Sequence, residues 1–146
     1  MAKQAIVRVR AGRLSQSPCP CGKLNASKKP LLLADCCGRY INDFANTPAP
    51  DAQSLMRSRY SAFVMERSDY LLATWHTRTR PPAVEPDVGT RWLGLQVRSY
   101  SAIDANHAQV EFVAQYRLAG RGARIHERSR FVREAGRWYY LDGDLL

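Results

Sequence analysis

The chain holds four cysteines, at Cys19, Cys21, Cys36 and Cys37, and none elsewhere among its 146 residues. Thiolates are soft metal ligands, and four of them can fill every corner of a tetrahedron. Fourteen residues separate Cys21 from the adjacent pair Cys36-Cys37. Four thiols crowded into so short a segment predict a metal site and not a disulfide framework. The expected ion is one structural Zn²⁺ per chain, bound by all four residues. A Cys-x-Cys turn aims two sulfurs at one point, Pro20 stiffens that turn, and Gly22 frees the backbone to turn a following N–H toward sulfur. Asp35 is placed to cap a helix through Gly38-Arg39-Tyr40-Ile41, which would set Cys36 and Cys37 at its positive end. Lys23, Lys28 and Lys29 would offset the charge of the thiolates. Redox use and inert thiols are the alternatives, but a vicinal disulfide is strained and Cys-x-Cys lacks the two-residue redox spacing.

A second set of candidates comes from strand parity. From Arg91 onward the apolar period is two: Leu93, Leu95 and Val97, then Val110, Phe112, Ala114, Tyr116 and Leu118, then Ile125, Glu127, Ser129 and Phe131, with a fourth strand over 137–142. A hairpin tip at Ala135-Gly136 pairs Arg133 with Trp138 and Phe131 with Tyr140. That register puts Glu127, Ser129, Trp138, Tyr140 and Asp142 on one face. If the face turns inward, Tyr60, Trp75, His76, Glu127, Ser129, Tyr140 and Asp142 gather in a pocket. Burial there would raise carboxylate pKa values toward those of a general acid or base. A plainer arrangement pairs Glu127 with Arg57 or Arg59 and leaves His76 bonded to backbone. The opposite face of the third strand shows Arg124, His126, Arg128 and Arg130, a solvated ribbon or an anion surface. No phosphate-binding glycine loop, dinucleotide fingerprint or Ser-His-Asp signature is present, so no convincing catalytic set emerges.

Two helices and four strands must position these groups. Asp51 or Ser54 can cap a helix to about Arg67, with an apolar stripe of Leu55, Met56, Tyr60, Phe63 and Val64. Ser68-Asp69 starts a second helix carrying Leu71, Leu72, Trp75 and His76 on one face. Residues 78–90 read as a loop, and Asp104-Ala105-Asn106 and Gly120-Arg121-Gly122 punctuate the strands. Helices followed by antiparallel strands give an α+β class with a curved sheet around helices. The expected divisions are a basic, flexible arm (1–17), a cysteine module (18–44), a proline-bearing linker (45–52) and one α+β domain (53–146).

The net charge of +9 is uneven. Residues 1–50 carry eight Lys/Arg against Asp35 and Asp43, which gives +6; residues 51–146 carry fourteen Arg against eleven acids, which gives +3. Such a surface could meet nucleic acid, anionic lipid or an acidic protein, although an arginine excess also follows from a GC-rich genome. No stretch approaches the eighteen apolar residues of a membrane span. The N-terminus alternates polar and apolar residues unlike a signal peptide, so a cytoplasmic location is expected.

Cys-Pro-Cys-Gly followed by Cys-Cys-Gly resembles the SEC-C motif, the zinc-binding tail of the SecA translocation ATPase. The remainder is similar to the YchJ-like family of uncharacterised bacterial proteins through Leu55-Met-Arg-Ser-Arg-Tyr-Ser-Ala-Phe63, Tyr70-Leu-Leu-Ala-Thr-Trp-His76, Trp92-Leu-Gly-Leu95, Glu127-Arg-Ser-Arg-Phe131 and Trp138-Tyr-Tyr-Leu-Asp-Gly143. That resemblance implies a cone-shaped NTF2-like domain after the zinc module, a fold that often dimerises through its sheet. Two features depart from the pattern: the loop between cysteine pairs is long, and no second SEC-C motif follows the last strand. Since the SecA tail docks the export chaperone SecB, the resemblance also implies an acidic protein partner at the module. The leading expectation is a zinc-bearing interaction or adapter protein. The alternatives are a small-molecule binder or hydrolase- or isomerase-type enzyme using the cone, and nucleic-acid binding by the basic surface.

Overall fold

The computed structural model describes residues 15–85 and 87–146, so the basic arm expected over 1–17 lies outside the described residues as far as residue 14. The cysteine region doubles back on itself. Antiparallel bridges join Pro18 to Leu32 and Leu24 to Pro30, and the Cys19 N–H donates to the Leu31 carbonyl at 2.8 Å. A single 3₁₀ turn (Leu33–Asp35) leads into a short helix α1 (Gly38–Ile41). Asp35 does not cap it. The N-cap is Cys37, without a side-chain bond, because Asp35 is taken up in the preceding turn.

Helix α2 (Ala52–Val64) begins where expected, with the Asp51 carboxylate accepting from the Ser54 N–H. This satisfies one of the unpaired first-turn donors. The helix ends three residues before Arg67, at a C-cap in which Glu66 takes φ +56° and the Arg67 N–H reaches the Ala62 carbonyl at 2.8 Å. Helix α3 (Ser68–Ala73) is short. Trp75 and His76 therefore do not continue its apolar face; Trp75 forms a parallel bridge to Tyr140 instead.

Four antiparallel strands follow in the order of the chain: β1 (Thr90–Asp104), β2 (His107–Leu118), β3 (Arg121–Glu134) and β4 (Arg137–Leu145). The β3–β4 register holds Phe131 opposite Tyr140 and Arg133 opposite Trp138, as the hairpin reading requires. Two bulges then alter side-chain parity. Register shifts between Trp92 and Gly94, so Trp92 lies opposite Tyr116 and packs on the core, while Leu93 is 48% exposed. This reverses the expected inward Leu93. On β4, Leu141 is the extra residue between the Phe131–Tyr140 and Arg130–Asp142 pairs. Asp142 is thereby sent to the outer face, against the expectation that it shares the Tyr140 face. Bulges also sharpen bend and twist, which suits a sheet curled over helices.

One buried cluster joins the cysteine region to the helices and the sheet. Leu55, Tyr60, Leu71, Val110 and Phe131 belong to the same core as all four cysteines. Phe44, just before the proline-bearing segment, stacks edge-on to Tyr70 and lies beneath the Arg137 guanidinium. On the outer face Glu111 meets His126 and Arg128, and Arg130 meets Asp142 and Asp144. Most of the basic ribbon is thus a lattice of solvated ion pairs. Among the described residues no helix is long and apolar enough to cross a membrane.

Two of the three tight hairpins, Ala119-Gly120 and Ala135-Gly136, place two consecutive residues at positive φ. That is the primed turn which favours Asn at its first position, whereas alanine there is strained. Ala119→Asn and Ala135→Asn should each stabilise the protein by about 0.5–1 kcal/mol. The reading is a higher denaturant midpoint at unchanged slope; an unchanged or lower midpoint refutes the strained turn.

Candidate metal centre

The four cysteines converge. Their sulfurs all lie within 4.8 Å of one another and all four residues are buried. Cys21 Sγ and Cys36 Sγ are 3.7 Å apart. A tetrahedral tetrathiolate site with metal–sulfur bonds near 2.3 Å has edges of about 3.8 Å. The donor set therefore fits a first-row ion with little movement. No disulfide forms among them.

The electrostatics point the same way. The Cys19 thiol is pushed far down by hydrogen bonds from Cys21, Cys36 and Cys37. The bond to Cys19 opposes ionisation of Cys21, but those from Cys36 and Cys37 outweigh it and draw that thiol to about 7. Cys36 and Cys37 are pushed up, chiefly because they act as donors to Cys19 and Cys21. Four buried thiols without a cation cannot all ionise. A bound divalent ion removes the conflict, since metal ligation requires the deprotonated forms.

The surroundings explain why glycine follows the second pair. A Cβ on Gly38 would stand 2.6 Å from the Leu33 carbonyl oxygen, so the α1 backbone can close on the turn only without a side chain. Gly22 adopts φ +75°, the backbone freedom expected of it, and its own N–H donates to the Cys19 carbonyl at 3.1 Å. Helix α2 supplies the remaining contacts. Ser61 Oγ is 3.5 Å from Cys19 Sγ, and Arg57 donates to the Cys21 carbonyl at 3.0 Å. Lys23, Lys28 and Lys29 are exposed on the loop between the cysteine pairs.

On the other side of α2 lies a cavity of about 400 Å³. Five of the residues expected there line it: Tyr60, Trp75, Glu127, Ser129 and Tyr140. Two do not. Asp142, turned outward by the bulge, pairs with Arg130 at 2.5 Å. His76, past the helix end, bonds Glu134 at 2.5 Å and stands edge-on to Tyr139. The ion pair considered for Glu127 does not form either. Arg57 serves the cysteine loop, and Arg59 donates to the Leu71 carbonyl and Thr74 Oγ1. Glu127 accepts instead from the Ser129 hydroxyl, with the Tyr140 hydroxyl at 3.5 Å. Burial draws Arg59 down to about 10 and pushes Tyr60 and Tyr140 up to about 12, so the guanidinium stays charged and both phenols stay neutral at physiological pH.

Sequence reasoning missed Ser61 and the roles of Arg57 and Gly38 beside the cysteines, and Phe63, Trp92 and Tyr116 in the cavity wall; Arg59 is inward as considered, but is held by rings and by Leu71 and Thr74. The first two act across 42 and 36 residues of chain, which leaves no local signal. Trp92 was hidden by the bulge at Leu93, while the glycine after Cys37 was the one visible clue to close packing.

The profile of the family described as YchJ, middle NTF2-like domain, matches residues 51–143. A UPF0225 protein of Polaromonas sp. (strain JS666) is 64% identical over 92% of this chain and 97% of its own length. Another, from Bordetella pertussis, is 54% identical over 90% and 95%. Two solved structures superpose well. A SEC-C motif containing protein from Psychrobacter arcticus has a TM-score of 0.76 at 33% identity, covering 89% of this chain and 83% of that one. One from Rhodopseudomonas palustris has a TM-score of 0.74 at 31% identity, covering 89% and 99%. With a cysteine quartet joined to helices on a four-stranded antiparallel sheet, the chain belongs to the UPF0225 family of YchJ-like, SEC-C motif proteins with an NTF2-like domain.

Proposed function

We propose that this protein is a cytoplasmic interaction module whose N-terminal lobe is braced by one zinc ion. The observation that carries the reading is the closure of the quartet. Four buried sulfurs lie within 4.8 Å of one another, enough to fill all four positions of a tetrahedral ion and leave none for water or substrate; closed sites of that kind are structural and not catalytic. The ion would neutralise the thiolates and supply folding energy to a segment with one four-residue helix. Apparent values for such sites run to about 10–16 kcal/mol.

The loop between the cysteine pairs supports a partner at this lobe. Leu24 and Leu32 are 50% and 41% exposed, next to Lys23, Lys28 and Lys29. An apolar anchor ringed by ammonium groups suits an acidic protein surface. The β3 arginines 128 and 130 are already held by carboxylates, so they favour a phosphate backbone less than the charge alone suggested.

Purified protein should carry one zinc per chain by elemental analysis. Chelation should unfold residues 18–44 while amide signals of the sheet persist, and a metal-free protein with an unchanged spectrum would refute the structural role. Gly38→Ala should lower zinc affinity and cost about 1–3 kcal/mol of stability through overpacking against Leu33; wild-type affinity would show that the turn relaxes freely. The Cys36→Ser, Cys37→Ser double variant should lose partners that wild-type protein captures from a lysate. Retention of every one of them would sink the adapter reading.

A further inference from the structure

The cavity beside α2 carries a charge pattern that the interaction role does not use. Of the thirteen acidic residues in the chain, four line this one cavity: Glu66, Glu85, Asp87 and Glu127. Among the described residues none of the four has a basic partner within ion-pair distance, whereas Glu111, Asp142 and Asp144 on the outer face all have one. The gathering of unpaired carboxylates in a chain of net charge +9 runs against its average.

The aromatic lining divides in two. At the base, Trp75 and Tyr140 already sandwich a cation, because the Arg59 guanidinium stands 5.1 and 4.6 Å from their ring centres. That charge is further tied down by Leu71 and Thr74. Toward the other end, Trp92 gathers Tyr60, Phe63 and Tyr116 at 5.8, 5.9 and 5.6 Å. Among the described residues no arginine or lysine lies over any of these four rings. They sit at the end of the sheet where Gly89 abuts Leu118 and Thr90 pairs with it, next to Asp87. The C-terminal turn of α2 brings Glu66, three residues beyond Phe63, to the same wall.

Two details sharpen the pattern. Ser68 Oγ, in the cavity wall, is buried without a hydrogen-bond partner, and an orphan buried hydroxyl calls for a partner. Glu66 occupies a helix C′ position at φ +56°, where glycine is the unstrained choice. The carboxylate stands there at a cost to the backbone.

We propose that this cavity binds a small organic cation, a substituted amine or quaternary ammonium compound with an apolar body. The charged group would lie against Trp92 and Tyr116 and be neutralised by Glu66 and Asp87. Electron-rich ring faces attract cations, and desolvation strengthens the contact. A volume of about 400 Å³ suits one such molecule.

Titration of the full-length, zinc-loaded protein with benzyltrimethylammonium, benzyl alcohol and phenylacetate, followed by tryptophan fluorescence and amide and indole NMR shifts, tests this directly. The cation should bind at least tenfold tighter than the neutral and anionic probes, with its shifts centred on the Trp92 indole. Glu66→Gln combined with Asp87→Asn, both exposed positions, should weaken it at least tenfold and leave Tm unchanged. Glu66→Gly should raise Tm while weakening the cation. Equal affinity for the neutral probe, preference for phenylacetate, or cation affinity untouched by the double variant would each overturn the assignment.

Discussion

Helix α2 is bound on two sides, and that double burial organises the molecule. Eight of its thirteen residues are buried, among them Ser58, Arg59 and Ser61. Ser61 and Arg57 turn toward the cysteine loop, while Met56, Arg59, Tyr60 and Phe63 turn toward the cavity. A helix with polar groups on its buried faces holds its place only when each finds a partner. Ser58 does so with Tyr70 at 2.7 Å, Arg59 with Thr74 and Leu71, and Ser61 with Cys19. The cysteine quartet, helix α3 and the sheet are therefore fastened to one rod.

That arrangement makes the cysteine lobe part of the domain core and not a tethered appendage. A segment with so little apolar area cannot hold itself together, since conformational entropy outweighs what it buries alone. Docked on α2, it shares a core with Leu55 and Phe131, and a bound ion would fix the four sulfurs that complete the contact. The same rod carries the Arg59 cation against Trp75 and Tyr140, so order at the cysteines and the shape of the cavity base have a common support.

The sheet divides its charges by face. Outside, arginine and histidine alternate with carboxylates in exposed pairs, which contribute little each to stability. Inside, Glu127 hydrogen-bonds only hydroxyls and feels the buried Arg59 guanidinium, and the rim acids have no base within ion-pair distance. The rim acids are solvated and stand beside an aromatic recess, and strained residues such as Glu66 concentrate where a protein binds something.

Much of this was legible in the residues. The cysteine quartet is visible in the sequence, because four thiols confined to one short segment can be brought together by closing a short loop at little entropic cost. Asp51 as a cap, the period of α2 and the Ala135-Gly136 hairpin follow from local backbone chemistry, and the alternation in β2 and β3 from a period of two. The location of Glu127, Ser129 and Tyr140 on the cavity wall came from the same parity. It failed where one residue was inserted. The bulge at Leu93 brought Trp92 inward, and the bulge at Leu141 sent Asp142 out to Arg130, since a slip of one residue moves a side chain to the other face. His76 left the site because α3 stopped at Ala73. The pairing of Ser61 and Arg57 with the cysteine loop needed the whole chain folded. Sequence determined the elements and the cysteine quartet, which depend on neighbours a few residues away; tertiary structure decided the bulges, the partners of buried polar groups and the lining of the cavity, because those depend on packing between segments that no local pattern records.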